Sequence, residues 1–110
     1  MVDSRRKGVE NERQLVAWLR AHGYPDARRT LAGDGHQPGD IANVGGLTVE
    51  VRAREACKPE SWMRDAERQA TAEAPLPVVV YHPPGVADPG KWIAMLRLEE
   101  LLLELDSNGD

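Results

Sequence analysis

Three charged residues near the middle of the chain have the types and spacing that could bind a divalent cation. Residues 39–53 read GDIANVGGLTVEVRA, with Asp40 before one short apolar segment and Glu50 and Arg52 two positions apart in the next. Carboxylate oxygens are the ligands that Mg²⁺ prefers, often one or two of them together with phosphate and water. A metal beside a fixed positive charge would suit hydrolysis of a phosphodiester. An ordinary ion pair at a solvated hairpin edge explains the same spacing equally well.

A third carboxylate, Glu12, lies in a segment whose pattern predicts a helix. Residues 8–22 read GVENERQLVAWLRAH, and Gly23 follows as a left-handed C-terminal cap. The apolar stripe of this helix contains Leu15, Val16 and Leu19, and Glu12 lies one turn earlier on the same side. A buried charge needs a partner. Glu12 is therefore either part of a site or a solvated charge at the edge of the stripe.

The remaining pattern predicts the elements that must position these residues, in the order α-β-β-β-α-β-β-α. The predicted segments are a strand at 27–31, a Gly-rich loop at 32–39, hairpin strands at 40–44 and 47–53 joined by Gly45-Gly46, a helix at 59–74, strands at 77–82 and 91–98, and a helix at 98–105. The valines of 77–82 predict burial on both faces of that strand. This order predicts an α/β fold with one mixed central sheet flanked by helices.

Length and composition predict one domain over residues 1–105 and a frayed tail over 106–110. The chain has 110 residues and one cysteine, Cys57, so no internal disulfide forms. We expect Cys57 to be a small buried residue rather than a reactive thiol. No apolar run approaches the roughly 20 residues of a membrane span, and no signal segment follows the basic N-terminus. A cytoplasmic protein without a membrane partner is expected.

Charge is distributed unevenly along the chain, although the net charge is -4. Residues 1–30 contain seven Lys/Arg and four Asp/Glu, whereas residues 75–110 contain two and six. This asymmetry predicts a basic face, and a local basic face can bind phosphates whatever the total charge.

Other classes of site find little support in the sequence. The three histidines, His22, His36 and His82, are too scattered for a metal-ligand motif, and no phosphate-binding P-loop or nucleophile motif is present. The three tryptophans are expected in the core rather than as platforms for base stacking. The segment LEELLLEL at 98–105 is expected to be a packed terminal helix, with a dimerisation helix as the alternative.

Two motifs in this order resemble those of a known nuclease family. Residues 7–13, KGVENER, resemble the KGxxxER signature of archaeal-type Holliday junction resolvases and their phage-borne relatives, which belong to the PD-(D/E)XK nuclease superfamily. The superfamily pattern would then be PGD at 38–40 followed by EVR at 50–52. The resemblance extends over roughly residues 5–70 and includes the Arg28-Arg29 pair and the Gly-rich loop before Asp40.

The resemblance implies specific roles for these residues. Glu12, Asp40 and Glu50 would form the acidic metal site, which would hold Mg²⁺ with Mn²⁺ as a substitute and need no small-molecule cofactor. Contacts to DNA phosphates would come from Lys7, Arg13, Arg28 and Arg29. Gln69 resembles a glutamine found near the active site in this superfamily, although an ordinary amide at a helix edge is an equally good interpretation. A homodimer that cuts four-way DNA junctions in a bacterial or phage-infected cell is the implied assembly.

Arg52 departs from the family pattern, which usually has lysine at this position. Arginine keeps the positive charge but does not give up its proton, so it cannot act as a general base. If the role is electrostatic, Arg52 suffices; if it is proton transfer, Lys58 would have to reach the site. We therefore expect a Mg²⁺-dependent, structure-selective DNA endonuclease. The alternatives are a DNA-binding module of the same fold without turnover and a subunit that uses the fold for protein contact alone.

Overall fold

A five-stranded sheet with helices against it forms the centre of the computed structural model. The structure describes residues 4–30, 39–53 and 56–108, without the side chains of 4–7, 107 and 108. Its elements are α1 (Ser4–Ala21), β1 (Arg28–Arg29), β2 (Ile41–Ala42), β3 (Leu47–Arg52), α2 (Pro59–Gln69), β4 (Leu76–Tyr81), a 3₁₀ turn (Pro89–Lys91), β5 (Ile93–Met95) and α3 (Leu98–Asn108). Both the predicted order of elements and the α/β class with a mixed central sheet are confirmed.

The five strands lie side by side in the order in which they follow one another in the chain. Three neighbouring pairs are antiparallel, whereas β3 and β4 are parallel. Parallel neighbours need a crossover connection, and α2 supplies it. As predicted from its valines, β4 is buried along nearly its whole length, and Val79 at its centre is fully buried.

Two helices cover opposite faces of β3, and this decides where its alternating side chains point. Val49 and Val51 pack into a core cluster with Leu15, Val16 and Leu19 of α1. The other face carries Thr48 and Glu50, and both are buried. Arg52 of this second face reaches Asp65 of α2. The hairpin is therefore not a solvated edge, because α2 covers the side that the polar residues occupy.

Several element ends differ from the predicted bounds. α1 begins at Ser4, and Gly23 beyond its end has the predicted left-handed conformation, with φ of 105°. α2 ends at Gln69 rather than 74, because Ala70 adopts an extended conformation. The strand predicted at 27–31 spans two residues, and residues 31–38, which include His36, Pro38 and most of the predicted loop, lie outside the described residues.

The C-terminal part of the chain differs from the predictions in the bounds of β5 and α3 and in the packing of α3. β5 spans only the three residues that pair with β4, and it follows the 3₁₀ turn that Asp88 caps by accepting a hydrogen bond from the backbone of Gly90. α3 continues to Asn108 instead of ending at 105. The expected packing of α3 is wrong, since five of its leucines are exposed: Leu98, Leu101, Leu102, Leu103 and Leu105.

An arginine at the start of α3 anchors this end of the chain to α2. The guanidinium of Arg97 donates hydrogen bonds of 2.9 to 3.1 Å to Glu60 and Glu67. These bonds lower the pKa of both carboxyls and raise the pKa of Arg97.

Within the described ranges, none of the helices combines the length and the apolar character that a bilayer span requires.

Candidate metal and phosphate site

Asp40 is fixed against β3 by a glycine that no other residue could replace without strain. Gly39 has φ of 75°, and a Cβ atom added there would lie 2.6 Å from the carbonyl oxygen of Val49. This close approach lets the Asp40 amide donate to Val49 at 2.7 Å. The Asp40 carboxylate in turn accepts from the amide of Val51 at 2.8 Å. Asp40 is therefore held beside β3 by both its backbone and its side chain.

Two more polar side chains support the same segment from either side. The hydroxyl of Thr30 donates to the carbonyl of Gly39 at 2.8 Å, and its amide donates to the carbonyl of Asp40 at 3.0 Å. From α2, the side-chain oxygen of Gln69 accepts a hydrogen bond from the Gly39 amide at 3.1 Å. Gln69 is thus an exposed residue at a helix end that contacts the glycine before Asp40.

Glu50 is a buried carboxylate with one oxygen paired and one unpaired. The residue is 2% exposed, and its Oε2 accepts a hydrogen bond from Arg52 at 2.9 Å. Its Oε1 is buried without a hydrogen-bond partner among the described residues. Burial and the negative charge of Asp40 raise the pKa of Glu50 to about 7, and a hydrogen bond that the protonated Glu50 carboxyl donates to Asp40 adds to this shift, whereas Arg52 opposes it. An unpaired buried carboxylate oxygen is costly, and a bound cation would offset that cost.

Arg52 turns toward the carboxylates and divides its two terminal nitrogens between them. Nη1 lies 2.9 Å from Glu50 Oε2 and 3.8 Å from Asp40 Oδ2. Nη2 lies 3.4 Å from Oδ2 of Asp65 on α2. Lys58, the other candidate cation, is exposed at the residue before α2. Among the described residues, the cation beside Asp40 and Glu50 is therefore Arg52.

Glu12 approaches this region from the other side of the sheet. Its carboxylate accepts a hydrogen bond of 2.9 Å from Arg29, and its side chain is 17% exposed, so it is not a fully solvated charge. Burial raises the pKa of Glu12, as does Asp40, while Arg29 lowers it. Asp40 thus lies between two carboxylates, Glu12 on the α1 side and Glu50 on the α2 side.

The three predicted acidic residues do not converge on a single point in this arrangement. Among the described residues, no group of three or more His, Cys, Asp or Glu side chains is placed to hold a metal ion. Asp40 and Glu50 form the closer pair, whereas Glu12 is engaged by Arg29. The geometry therefore favours two carboxylates as direct ligands, which is within the usual range for Mg²⁺ when phosphate and water complete the shell.

A basic groove between α1 and β1 gathers the predicted phosphate contacts. The groove has a volume of about 400 Å³ and is lined by Arg13, Val16, Ala17, Arg20, Arg28 and Arg29. Three of its four arginines were predicted, and the fourth, Arg20, was missed; its Nε donates to the carbonyl of Ala27 at 2.8 Å. Arg29 links the groove to Glu12. The predicted contact from Lys7 lies outside the described side chains.

The tryptophans, two of the histidines and Cys57 were also considered from the sequence, and they differ in burial. Trp62 and Trp92 are buried, as expected, and Trp92 stacks on His82 with ring centroids 4.1 Å apart. His22 stacks on the half-buried Trp18. Cys57 is exposed, so the expectation that it fills the core is wrong.

Asp65 is the residue of this site that sequence reasoning missed. On α2 it forms an ion pair with Arg68 three residues later, a spacing common on solvated helix surfaces. Its contact with Arg52 depends on how α2 crosses β3, which the local pattern does not reveal. Helical spacing offered a partial signal, because Asp65 is four residues before Gln69, which was already a candidate.

No family model matches the chain, and neither a curated protein nor a solved structure is similar to it. The case for a function therefore depends on the motifs and on the geometry of Asp40, Glu50, Arg52 and the basic groove.

Proposed function

We propose that this protein is a Mg²⁺-dependent DNA endonuclease with a PD-(D/E)XK core that acts on branched DNA, with the four-way junction as its substrate. The observation that carries the proposal is the buried Glu50, whose unpaired Oε1 lies in a site with Asp40 and Arg52. The element order and the parallel β3–β4 pair joined by α2 support the assignment of the core.

The donor set fits a hard divalent cation. Asp40 and Glu50 would hold Mg²⁺, or Mn²⁺ in its place, through carboxylate oxygens. When bound, the cation supplies a Lewis acid that lowers the pKa of water and offsets negative charge at the phosphate. The backbone bonds of Asp40 fix one ligand, and burial under α2 fixes the other, so neither has to be ordered during binding.

Arg52 supplies positive charge rather than proton transfer. Its guanidinium stays protonated in proteins, so it can donate hydrogen bonds to a phosphate but cannot accept a proton from water. Its position next to Asp40 and Glu50 supports an electrostatic role at the scissile phosphate. The departure from lysine is then compatible with turnover.

The basic groove is the proposed contact surface for the DNA backbone. Four guanidiniums line it, and Arg29 connects it through Glu12 to the neighbourhood of Asp40. A duplex arm lying along α1 would bring its phosphates close to the carboxylates. Selectivity for a four-way junction and assembly as a homodimer are carried by the resemblance of the KGVENER and EVR motifs to junction resolvases.

A second candidate is a DNA-binding module of the same fold without turnover. The observation in its favour is that Arg52 already bonds Glu50 and approaches Asp40, so it partly neutralises the charges that a cation needs. In this case junctions would bind through the basic groove and stay uncut.

Substitutions that remove charge but keep shape test the proposal. We expect Asp40→Asn and Glu50→Gln each to lower the cleavage rate by about a thousandfold or more, because several kcal/mol of transition-state stabilisation are lost with the metal. Junction affinity, measured by gel shift in Ca²⁺ or EDTA, should stay near that of the parent. Glu67→Gln, which alters a carboxylate bound to Arg97, is the matched control and should cut normally.

One outcome tests the assignment of each residue, and the other separates the two candidates. Near-parental cleavage by Asp40→Asn or Glu50→Gln would remove that residue from the site. Tight junction binding without cleavage by the parent, in Mg²⁺ and in Mn²⁺, would favour the module without turnover.

A further inference from the structure

The guanidinium of Arg52 is shared between two carboxylates on different elements, so it forms only one hydrogen bond with Glu50. Nη1 donates to Oε2 of Glu50, while Nη2 points to Oδ2 of Asp65. An arginine fork usually pairs with a carboxylate through two parallel hydrogen bonds. Here the second bond goes to α2, and Oε1 of Glu50 has no partner among the described residues.

We propose that Asp65 is a positioning residue: it binds Nη2 of Arg52, keeps this nitrogen away from Glu50 and so leaves Glu50 Oε1 free for a cation. This inference rests on the proposed function, because it assigns Oε1 to metal binding. Asp65 is suited to the task because its other oxygen, Oδ1, is paired with Arg68, which holds the carboxylate in place on α2.

The arrangement also explains how an arginine can occupy this position at all. A lysine has one terminal nitrogen, so it cannot close on both oxygens of Glu50 in the paired manner of a guanidinium. An arginine can close on both, because its hydrogen bonds to β3, to Glu50 Oε2 and to the carbonyl of Val51, both come from Nη1 and leave Nη2 available. The acidic residue on α2 is therefore needed because of the arginine, and it would be dispensable with lysine.

The first test is a crystal structure of the metal-free Asp65→Ala protein, which requires neither metal nor DNA. Alanine favours the helix, so α2 should be retained. We expect Nη2 of Arg52 to move within hydrogen-bond distance of Glu50 Oε1. If Arg52 keeps its parental position, with Oε1 still unpaired, the inference is overturned.

The second test is Mn²⁺ binding without DNA, measured by calorimetry on a set of matched variants. Asp65→Ala should weaken Mn²⁺ binding by about tenfold or more, as supporting residues around metal ligands commonly do. Arg52→Lys should bind Mn²⁺ at least as well as the parent, and adding Asp65→Ala to it should change the affinity less than twofold. Glu67→Ala, on the same helix but paired with Arg97, should match the parent.

The outcomes distinguish this inference from the proposed function. Equal Mn²⁺ affinity of Asp65→Ala and the parent would overturn the role of Asp65 and leave the metal site intact. A tenfold loss that Arg52→Lys does not rescue would also overturn it, because the loss would then not pass through the guanidinium. A parent protein that binds no Mn²⁺ would contradict the proposed function. The metal-free structure of Asp65→Ala would still decide whether Asp65 keeps Nη2 of Arg52 away from Glu50.

Discussion

At the scale of single residues, Glu50 carries the main energetic cost of the candidate site. Its carboxylate is buried between β3 and α2, and burial raises its pKa from 4.5 to about 7. Between pH 4.5 and about 7, the folded protein therefore keeps a proton on Glu50 that the unfolded chain has released. A site that disfavours its own charge before the cation arrives is a common compromise between stability and function.

This pKa shift predicts how stability depends on pH. Because the folded state binds the extra proton between pH 4.5 and 7, the free energy of unfolding falls as the pH rises through that window. The contribution of Glu50 is present below pH 4.5 and is lost by about pH 7, on the order of 3 kcal/mol. Denaturant unfolding in EDTA at pH 5 and pH 8 measures it.

Glu50→Gln isolates this contribution, since glutamine does not titrate. We expect the loss between pH 5 and pH 8 to be smaller in Glu50→Gln than in the parent, with Glu99→Gln, at an exposed position on α3, as the control that keeps Glu50. An identical pH dependence in Glu50→Gln and the parent would show that the Glu50 carboxylate is ionised throughout the range.

Asp40 is preceded by glycine because residue 39 lies against the backbone of Val49. A side chain there would meet the backbone of Val49, which cannot move without disturbing β3. We expect Gly39→Ala to lower the free energy of unfolding by roughly 2 kcal/mol or more, from a strained φ together with the clash. It should also displace Asp40 and reduce cleavage. Thermal unfolding and the cleavage rate measure the two effects.

Gly45→Ala is the matched control for Gly39→Ala. Gly45 also has a positive φ, of 57°, but a Cβ atom there would meet nothing within 4 Å. It should cost about 1 kcal/mol and leave cleavage unchanged. If both substitutions had the same effect, the close approach to Val49 would not be what positions Asp40.

Residue-level prediction from sequence was strongest where a motif named the residue. Asp40, Glu50 and Arg52 do lie together, and Gln69 contacts the glycine beside Asp40. Asp65 was missed because its nearest partner in sequence, Arg68, gives it the pattern of a solvated helix pair. The convergence of Glu12 with the other two carboxylates was also expected, but α1 covers the opposite face of β3 from Glu50.

At the scale of elements, α1 and β1 together form the basic groove. Neither element alone could do this, because Arg13 and Arg20 lie on the helix while Arg28 and Arg29 follow the turn that reverses the chain. The N-terminal excess of positive charge predicted such a face, and the described geometry gathers it in one place. Arg20 was overlooked because it lies in the last turn of α1, where a basic residue commonly stabilises the helix terminus.

The groove makes a quantitative prediction about salt. Each phosphate contact releases counterions, so Arg13→Ala and Arg28→Ala should each weaken junction binding and flatten the log–log dependence of affinity on salt by about one unit. Arg64→Ala is the control, because Arg64 lies on α2 and pairs with Glu60 outside the groove. Fluorescence anisotropy over a salt series measures the slopes, and an unchanged slope in both groove variants would argue against this surface.

The ends of elements were harder to predict than their order. The strands at 27–31 and 91–98 proved shorter, since pairing with a neighbour rather than residue type decides where a strand stops. α3 was expected to pack because of its leucines, yet they are exposed. A leucine-rich segment indicates a surface that favours burial, but the sequence does not say which surface covers it.

At the scale of the whole molecule, the carboxylates of the candidate metal site and the arginines of the basic groove are positioned by the two helices that cover opposite faces of one sheet. α2 shields Glu50 and supplies Asp65, whereas α1 supplies Glu12 and half of the basic groove. Asp40, at the start of β2, lies between the two. The order of elements was predictable because periodicity and turn residues mark each segment locally. The division of the carboxylates between two faces was not, because it depends on which helix covers which side.

Cleavage of a labelled four-way junction by the parent protein, compared with a duplex of matched sequence, decides whether this protein is a metal-dependent junction endonuclease. The assay is run in Mg²⁺, in Mn²⁺ and in EDTA, with Asp40→Asn in parallel. We expect junction cleavage that requires a divalent cation and is absent with Asp40→Asn, and we expect the duplex to be cut far more slowly. Binding without cleavage in every condition, or equal cleavage by the parent and Asp40→Asn, would contradict it.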